Sequence, residues 1–245
     1  MPQLSIKIDD VAALRRTTKT RVPDPVHAAI MAEAAGADSI TAHLRVDRAL
    51  LKDRDIYLLK ETVQTRLNLQ IAPDPDLIKL ALEVKPYRVI LMPMLLEGER
   101  LTHGIDFTKA ANRLHDAVAL LDDAGLPYSC LINPDGESVK EAARLKCGSL
   151  QLAVYDFASS DPVDYKSGAE SIDQVAQTAK KLGMNVSCGG GLDYLNVRAL
   201  AALGTIDEYI VGHNVLARAL LVGIERAVRD MSKILTSCTK ENPFV

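Results

Sequence analysis

The stretch Pro127–Val154, PYSCLINPDGESVKEAARLKCGSLQLAV, contains the unit from which the rest of the chain is built. PYSCLIN (127–133) is a short apolar run of strand length, and SLQLAV (149–154) is another. Between them, 136–146 reads as a helix that follows the turn residues Pro134 and Asp135. Two strands joined through a helix pair in parallel, because a parallel pair needs a crossover of a dozen or more residues. The same unit recurs outward in both directions. Upstream, Leu4–Ile8, DSITAHL (38–44), LNLQIA (67–72) and YRVILMP (87–93) read as strands. Downstream, MNVSC (184–188) and DEYIVG (207–212) do so. Helical stretches follow at 25–35 (Asp24 as N-cap, Pro25 at the first position, Gly36 as stop), 53–66, 75–84, 108–124, 169–182, 193–203 and 214–235. Eight strands, each followed by a helix, in 245 residues predict one α/β domain over 1–245, a (β/α)₈ barrel. Residues 236–245 read as a loosely held tail. A doubly wound open sheet is the rival; it favours a Gly-rich turn after strand one, where this chain has IDDVAALRR.

Composition narrows the class. The chain is 48% hydrophobic and 25% charged, with a net charge of −3, so it has no global attraction for nucleic acid or an anionic membrane. No apolar run reaches the ~18 residues that span a bilayer. The start, MPQLSIKIDD, lacks a basic region followed by an apolar one, so no secretory signal is expected. The four cysteines (Cys130, Cys147, Cys188, Cys238) are widely spaced and read as reduced thiols of a cytosolic protein. No cluster of His, Asp and Glu has metal-ligand spacing, so no metal site is expected.

Strand periodicity predicts an unusual interior. The inward sets are Ser5, Lys7, Asp9; Ser39, Thr41, His43, Arg45; Asn68, Gln70; Ser149, Gln151; Asn185, Ser187; and Glu208. Leu4, Ile6, Ile8, Ile40, Leu44, Leu67, Leu69, Ile71, Leu150 and Leu152 alternate with them and face the helices. Two readings remain open: a self-satisfied buried network, for example Lys7 paired with Glu208, or a solvated ligand site at the C-terminal strand ends. Strand seven ends in Gly189-Gly190-Gly191 and strand eight in Gly212-His213. Glycine turns at these two positions suit a phosphate, whose oxygens accept from backbone N–H groups at helix starts.

The stretch TRVPDPVHAAIMAEAAGADSITAHLRVDRALLKDRDI (20–56) resembles the signature region of the pyridoxine 5′-phosphate synthase family. So do I-D-x-V-A-x-L-R from Ile8, T-R-x-N-L from Thr65, G-L-x-Y-x-N from Gly191 and G-H-x-x-x-x-R-A from Gly212. The resemblance covers nearly the whole chain. It implies a barrel that condenses 1-deoxy-D-xylulose 5-phosphate with 3-amino-2-oxopropyl phosphate, without metal or organic cofactor, in a homo-oligomer (an octamer built from dimers, or a dimer). It also implies roles for residues that match. Asp9 and His43 fall on the acid–base set, Arg45 on a phosphate ligand, Arg21 on a mobile basic residue, and Gly191, Gly212 and His213 on a second phosphate site. Other positions depart from the pattern: Lys7 stands for an asparagine, Asp10 for a histidine, Gln70 and Gln151 for glutamates, and Gly190 and Leu50 for histidines. The loop after strand four is Pro93-Met94-Leu95-Leu96 with Arg100 and His103, and is a candidate lid. The resemblance therefore implies a phosphorylated small-molecule substrate with altered chemistry. Lys7 is a candidate Schiff-base nucleophile or a structural ion pair with Glu208 or Asp9, and Asp10, His103 or Tyr155 are candidate substitutes for lost acids and bases. The parent reaction and a non-catalytic sugar-phosphate-binding barrel are the alternatives.

Overall fold

The computed structural model describes residues 1–18, 20–95 and 98–240. Eight parallel strands close into one barrel in sequence order: β1 (Gln3–Lys7), β2 (Ser39–His43), β3 (Leu67–Ile71), β4 (Arg88–Leu91), β5 (Tyr128–Ile132), β6 (Ser149–Ala153), β7 (Asn185–Gly189) and β8 (Glu208–Val211). Pairing of Gln3 with Glu208 and of Ile6 with Val211 joins the last strand to the first. No edge is left, and the open-sheet alternative is excluded.

Aspartates start the crossover helices. Asp24, Asp74, Asp106 and Asp135 accept hydrogen bonds from N–H groups at the starts of α2 (Pro25–Ala34), α4 (Pro75–Val84), α5 (Phe107–Asp123) and α6 (Gly136–Arg144). Pro25 and Pro75 stand where a missing N–H costs nothing. The ring is completed by α3 (Asp53–Thr62), a short α7 (Tyr155–Ser159), α8 (Tyr165–Lys181), α9 (Val197–Ala201), α10 (His213–Val222) and α11 (Ile224–Lys240). The expected helix over 214–235 is two helices, because Gly223 at φ +83° lets the chain turn. Helix α11 continues to Lys240, past residue 236 where the tail was expected; residues 241–245 lie outside the described residues. No helix among the described residues is long and apolar enough to cross a membrane.

One element differs outright from the sequence reading. IDDVAALRR is not a turn: α1 runs Asp9–Thr18, with Asp9 and Asp10 in its first turn and Arg15 and Arg16 in its last. That charge order suits the helix dipole. The strand alternation therefore stops at Lys7, and Asp9 enters the barrel mouth from the helix start.

Leu4, Ile6, Ile40, Leu69, Ile71, Leu150 and Leu152 pack into the apolar layer between barrel and helices, as the alternation requires. The interior is divided. On the β4, β5, β6 and β8 side it holds an apolar cluster of Ile90, Met92, Leu131, Ala153 and Ile210, which limits the polar lining expected for the whole bore. Elsewhere in the bore it is polar. At the N-terminal floor Glu208 pairs with Arg88 and accepts from Ser39 Oγ (2.7 Å) and Asn68 Nδ2 (3.1 Å). Above the floor Ser5 and Thr41 share a hydrogen bond of 2.6 Å. The Lys7–Glu208 pair does not form. Glu208 stands at the N-terminal end of its strand and Lys7 at the C-terminal end of its own, so Arg88 on β4 takes the carboxylate instead. Asn185 is exposed at the N-terminal end, away from the mouth.

Candidate active site

At the C-terminal mouth, β1, β2 and the start of α1 bring three groups together. Lys7 Nζ lies 3.1 Å from Asp9 Oδ2, and Asp9 Oδ1 accepts from the His43 backbone N–H at 2.8 Å. Both Asp9 and His43 are buried. Burial raises the Asp9 carboxyl above its ordinary range, against the opposing pull of Lys7. Burial also pushes His43 well below the usual imidazole value, and the nearby Lys7 and Arg45 cations push it the same way. His43 is therefore a neutral imidazole at pH 7. Its depressed folded-state value fixes the sign of a pH effect. The stability it contributes is complete above the unfolded value of about 6.5 and is lost as pH falls below that. Urea denaturation of His43→Gln beside wild type between pH 7.5 and 5 should show a shallower decline in the variant. An identical decline would contradict the buried neutral state.

Across the mouth, Gln70 Nε2 donates to Gln151 Oε1 at 2.8 Å. Gln70 Oε1 is buried and has no partner among the described residues, which leaves an acceptor for a ligand donor. Tyr155 opens α7 beside them, and burial, reinforced by Asp9, keeps its phenol protonated. A Cβ on Gly189 would stand 2.9 Å from Gln151 Nε2 and 3.0 Å from Ile210 O, so a side chain there would crowd both the amide and β8.

The two glycine turns meet beside this cluster. Gly190 and Gly191 have φ of +113° and +78°, and a Cβ on Gly191 would come 2.7 Å from that of Ala158. Gly191 O accepts from the side-chain amides of Asn196 (3.2 Å) and Asn214 (3.3 Å), which fixes the turn. Gly212 precedes α10, and no side chain caps this helix start. A Cβ on Gly212 would meet Lys7 Cβ at 3.2 Å, so the turn and the lysine are packed together. His213 is exposed and its Nδ1 lies 3.2 Å from Asp10 Oδ2, tying the start of α10 to that of α1.

Other candidates are placed differently. Arg45 is held in a two-pronged pair with Asp47 (3.0 and 2.8 Å) and donates to Glu99 O (3.2 Å). The Arg45 hydrogen bond holds the Asp47 carboxyl below its usual range. Arg21 and Arg100 are exposed and form no hydrogen bond with the mouth residues. His103 lines a cavity of about 900 Å³ past the ends of β4 and β5, with Met92, Met94, Arg113 and Asn133, and its Nδ1 lies 3.0 Å from Gly104 O. None of Lys7, Asp9 and His43 lines that cavity. Leu50 is half-buried against the outer core. Leu96 of the candidate lid lies outside the described residues. Cys130, Cys147 and Cys188 are buried free thiols.

Sequence reasoning missed Arg88 and Asp47. The alternation Arg88, Ile90, Met92 on β4 carries the signal for Arg88. Asp47 lies in a loop and had none.

The sequence model of the family described as "Pyridoxal phosphate biosynthesis protein PdxJ" matches residues 4–237. The chain belongs to the PdxJ family. It is 40% identical over 238 residues to the pyridoxine 5′-phosphate synthase of Geobacter metallireducens, covering 96% of this chain and 99% of that one. It is 41% identical over 234 residues to that of Geotalea daltonii, covering 94% and 97%. Among solved structures, thiamine phosphate pyrophosphorylase from Pyrococcus furiosus superposes with a TM-score of 0.61 at 16% identity, covering 96% of each chain. Phosphoribosyl anthranilate isomerase from Thermus thermophilus does so with a TM-score of 0.59 at 15% identity, covering 96% and 98%. These two likenesses establish the barrel fold only.

Proposed function

We propose that this PdxJ-family barrel is an enzyme that binds a phosphorylated carbonyl compound at its C-terminal mouth. It acts there through an imine on Lys7, in a condensation, elimination or isomerisation related to the pyridoxine 5′-phosphate synthase reaction but distinct from it. The observation that carries this is the Lys7–Asp9–His43 cluster, set against an amide pair where a proton relay would need acids. Proton transfer within the Lys7–Asp9 pair gives a neutral amine and a neutral acid. The Nζ lone pair then attacks the carbonyl carbon and the C–O bond breaks. The departing oxygen takes one proton from the amine and one from Asp9, leaves as water, and the iminium faces the Asp9 carboxylate. Gly189–Gly191, Gly212 and His213 would hold the phosphate, with Arg45 as a further cation once released from Asp47.

Incubation with phosphorylated ketoses and aldoses, borohydride reduction and intact-mass measurement test this reading. A reduced adduct mapped to Lys7, suppressed by excess inorganic phosphate, is expected. Absence of any adduct at Lys7 would remove the covalent route. The relatives' shared name supports a second reading, the parent condensation itself; binding of these compounds without turnover would indicate a sugar-phosphate-binding barrel.

A further inference from the structure

Tyr155 lies two residues beyond the end of β6 and packs on the inner apolar cluster. Its ring covers Gly190: a Cβ built there would stand 2.8 Å from the ring carbons Cε1 and Cζ. A side chain at 190 and the Tyr155 ring therefore exclude each other, and the ring forms this wall of the mouth. Its hydroxyl makes no hydrogen bond with the described residues. Asp9 is close enough to act electrostatically on the phenol, so Tyr155 shares the mouth with Lys7 and His43. The residue is only half-buried and its hydroxyl is not sealed from the mouth, so its proton can be donated to a ligand that enters there.

We propose that Tyr155 is a substrate-contacting, specificity-determining residue whose hydroxyl donates a hydrogen bond to the carbonyl oxygen of the bound phosphorylated ketone. This rests on the carbonyl-compound reading above. It adds a second polar contact at the reacting carbon. A donor aimed at that oxygen favours a ketone over the corresponding alcohol, because the phenol proton already occupies the site and a hydroxyl ligand must turn its own proton elsewhere. It also draws electron density from the carbon that Lys7 attacks.

Calorimetric titration with 1-deoxy-D-xylulose 5-phosphate, with its borohydride-reduced pentitol phosphate and with inorganic phosphate tests the assignment on wild type and Tyr155→Phe. Wild type should prefer the ketose phosphate to the pentitol phosphate by about tenfold, the worth of one hydrogen bond to a buried acceptor. Tyr155→Phe should lose that preference while binding inorganic phosphate like wild type. Ketone preference retained in Tyr155→Phe, or absent from wild type, overturns the role of Tyr155 alone. Wild type that binds inorganic phosphate but neither sugar phosphate overturns the carbonyl-compound reading as well. A second readout uses the wild-type protein labelled with ¹³C at tyrosine Cζ. One tyrosine resonance should move with the ketose phosphate and not with the pentitol phosphate; none moving overturns the proposal.

Discussion

Given 1-deoxy-D-xylulose 5-phosphate and 3-amino-2-oxopropyl phosphate, the wild-type protein should form pyridoxine 5′-phosphate at least about 10²-fold more slowly than a variant carrying Gln70→Glu, Gln151→Glu, Tyr155→Ala and Gly190→His. Ring closure requires several proton transfers. Each positioned acid or base is worth about 10²–10⁴ in rate, and an amide can donate or accept hydrogen bonds but cannot shuttle a proton near neutral pH. The geometry sharpens the design. Gln70 Nε2 and Gln151 Oε1 are 2.8 Å apart, so two carboxyls placed there would share one proton, which keeps one of them protonated and the other a base. Histidine at 190 cannot be restored alone, because its Cβ would stand 2.8 Å from the Tyr155 ring. The tyrosine must be shortened with it, and the residue still carries φ +113°, a strain of order 1–3 kcal/mol. Direct assay of both proteins, checked first for matching thermal melts, decides the matter. Wild-type turnover equal to the variant's would mean that His43, Asp9 and Tyr155 suffice for the proton transfers.

Arg88→Ala should cost about 3–5 kcal/mol of folding stability, measured by urea denaturation. Glu208 is 5% exposed, and its carboxylate is held by Arg88, Ser39 and Asn68. Removing the guanidinium leaves that buried charge with two neutral donors. The pair itself is no measure of the net gain, since desolvating both ions opposes their attraction. The discriminating measurement is therefore the double variant Arg88→Ala with Glu208→Gln. It removes both charges and keeps an acceptor for Ser39 and Asn68, and should recover at least half of the loss. A single variant within about 0.5 kcal/mol of wild type, the range of an ordinary surface change, would show that the floor does not depend on this pair. Because the pair lies at the N-terminal end and Lys7 at the C-terminal end, ligand binding at the mouth should survive in whatever fraction stays folded.

The barrel was legible because its signal is local and repeated. Asp-capped helix starts, glycine stops and four- to seven-residue apolar runs each report a backbone preference that neighbouring residues satisfy by themselves. Helix α1 is less legible because IDDVAALRR follows a strand directly and starts without a glycine or proline, and only the spacing of Val11, Ala12, Leu14 and Arg15 signals it. The inward alternation was legible for the same reason: side chains on a strand must change face at every residue. Periodicity gives the face of each residue but not its height along the barrel axis. Height follows from the register between strands, which pairs Ser5 with Ser39 and Asn68 with Arg88. Only that register decided that Glu208 meets Arg88 rather than Lys7.

The sequence by itself determined the closed eight-stranded barrel, the polar residues of its bore, the glycine turns after β7 and β8, and membership in a family whose relatives share about two residues in five. The tertiary structure alone decided which polar residues meet: Lys7 with Asp9, Gln70 with Gln151, Asp10 with His213, and the ring of Tyr155 over Gly190. Apart from Lys7 and Asp9, which the step from β1 to α1 brings together, these pairs join residues from different βα units, up to 203 positions apart. Local propensity carries no information about such distances. They are set when strand stagger and barrel closure bring the ends of eight separate units to one mouth.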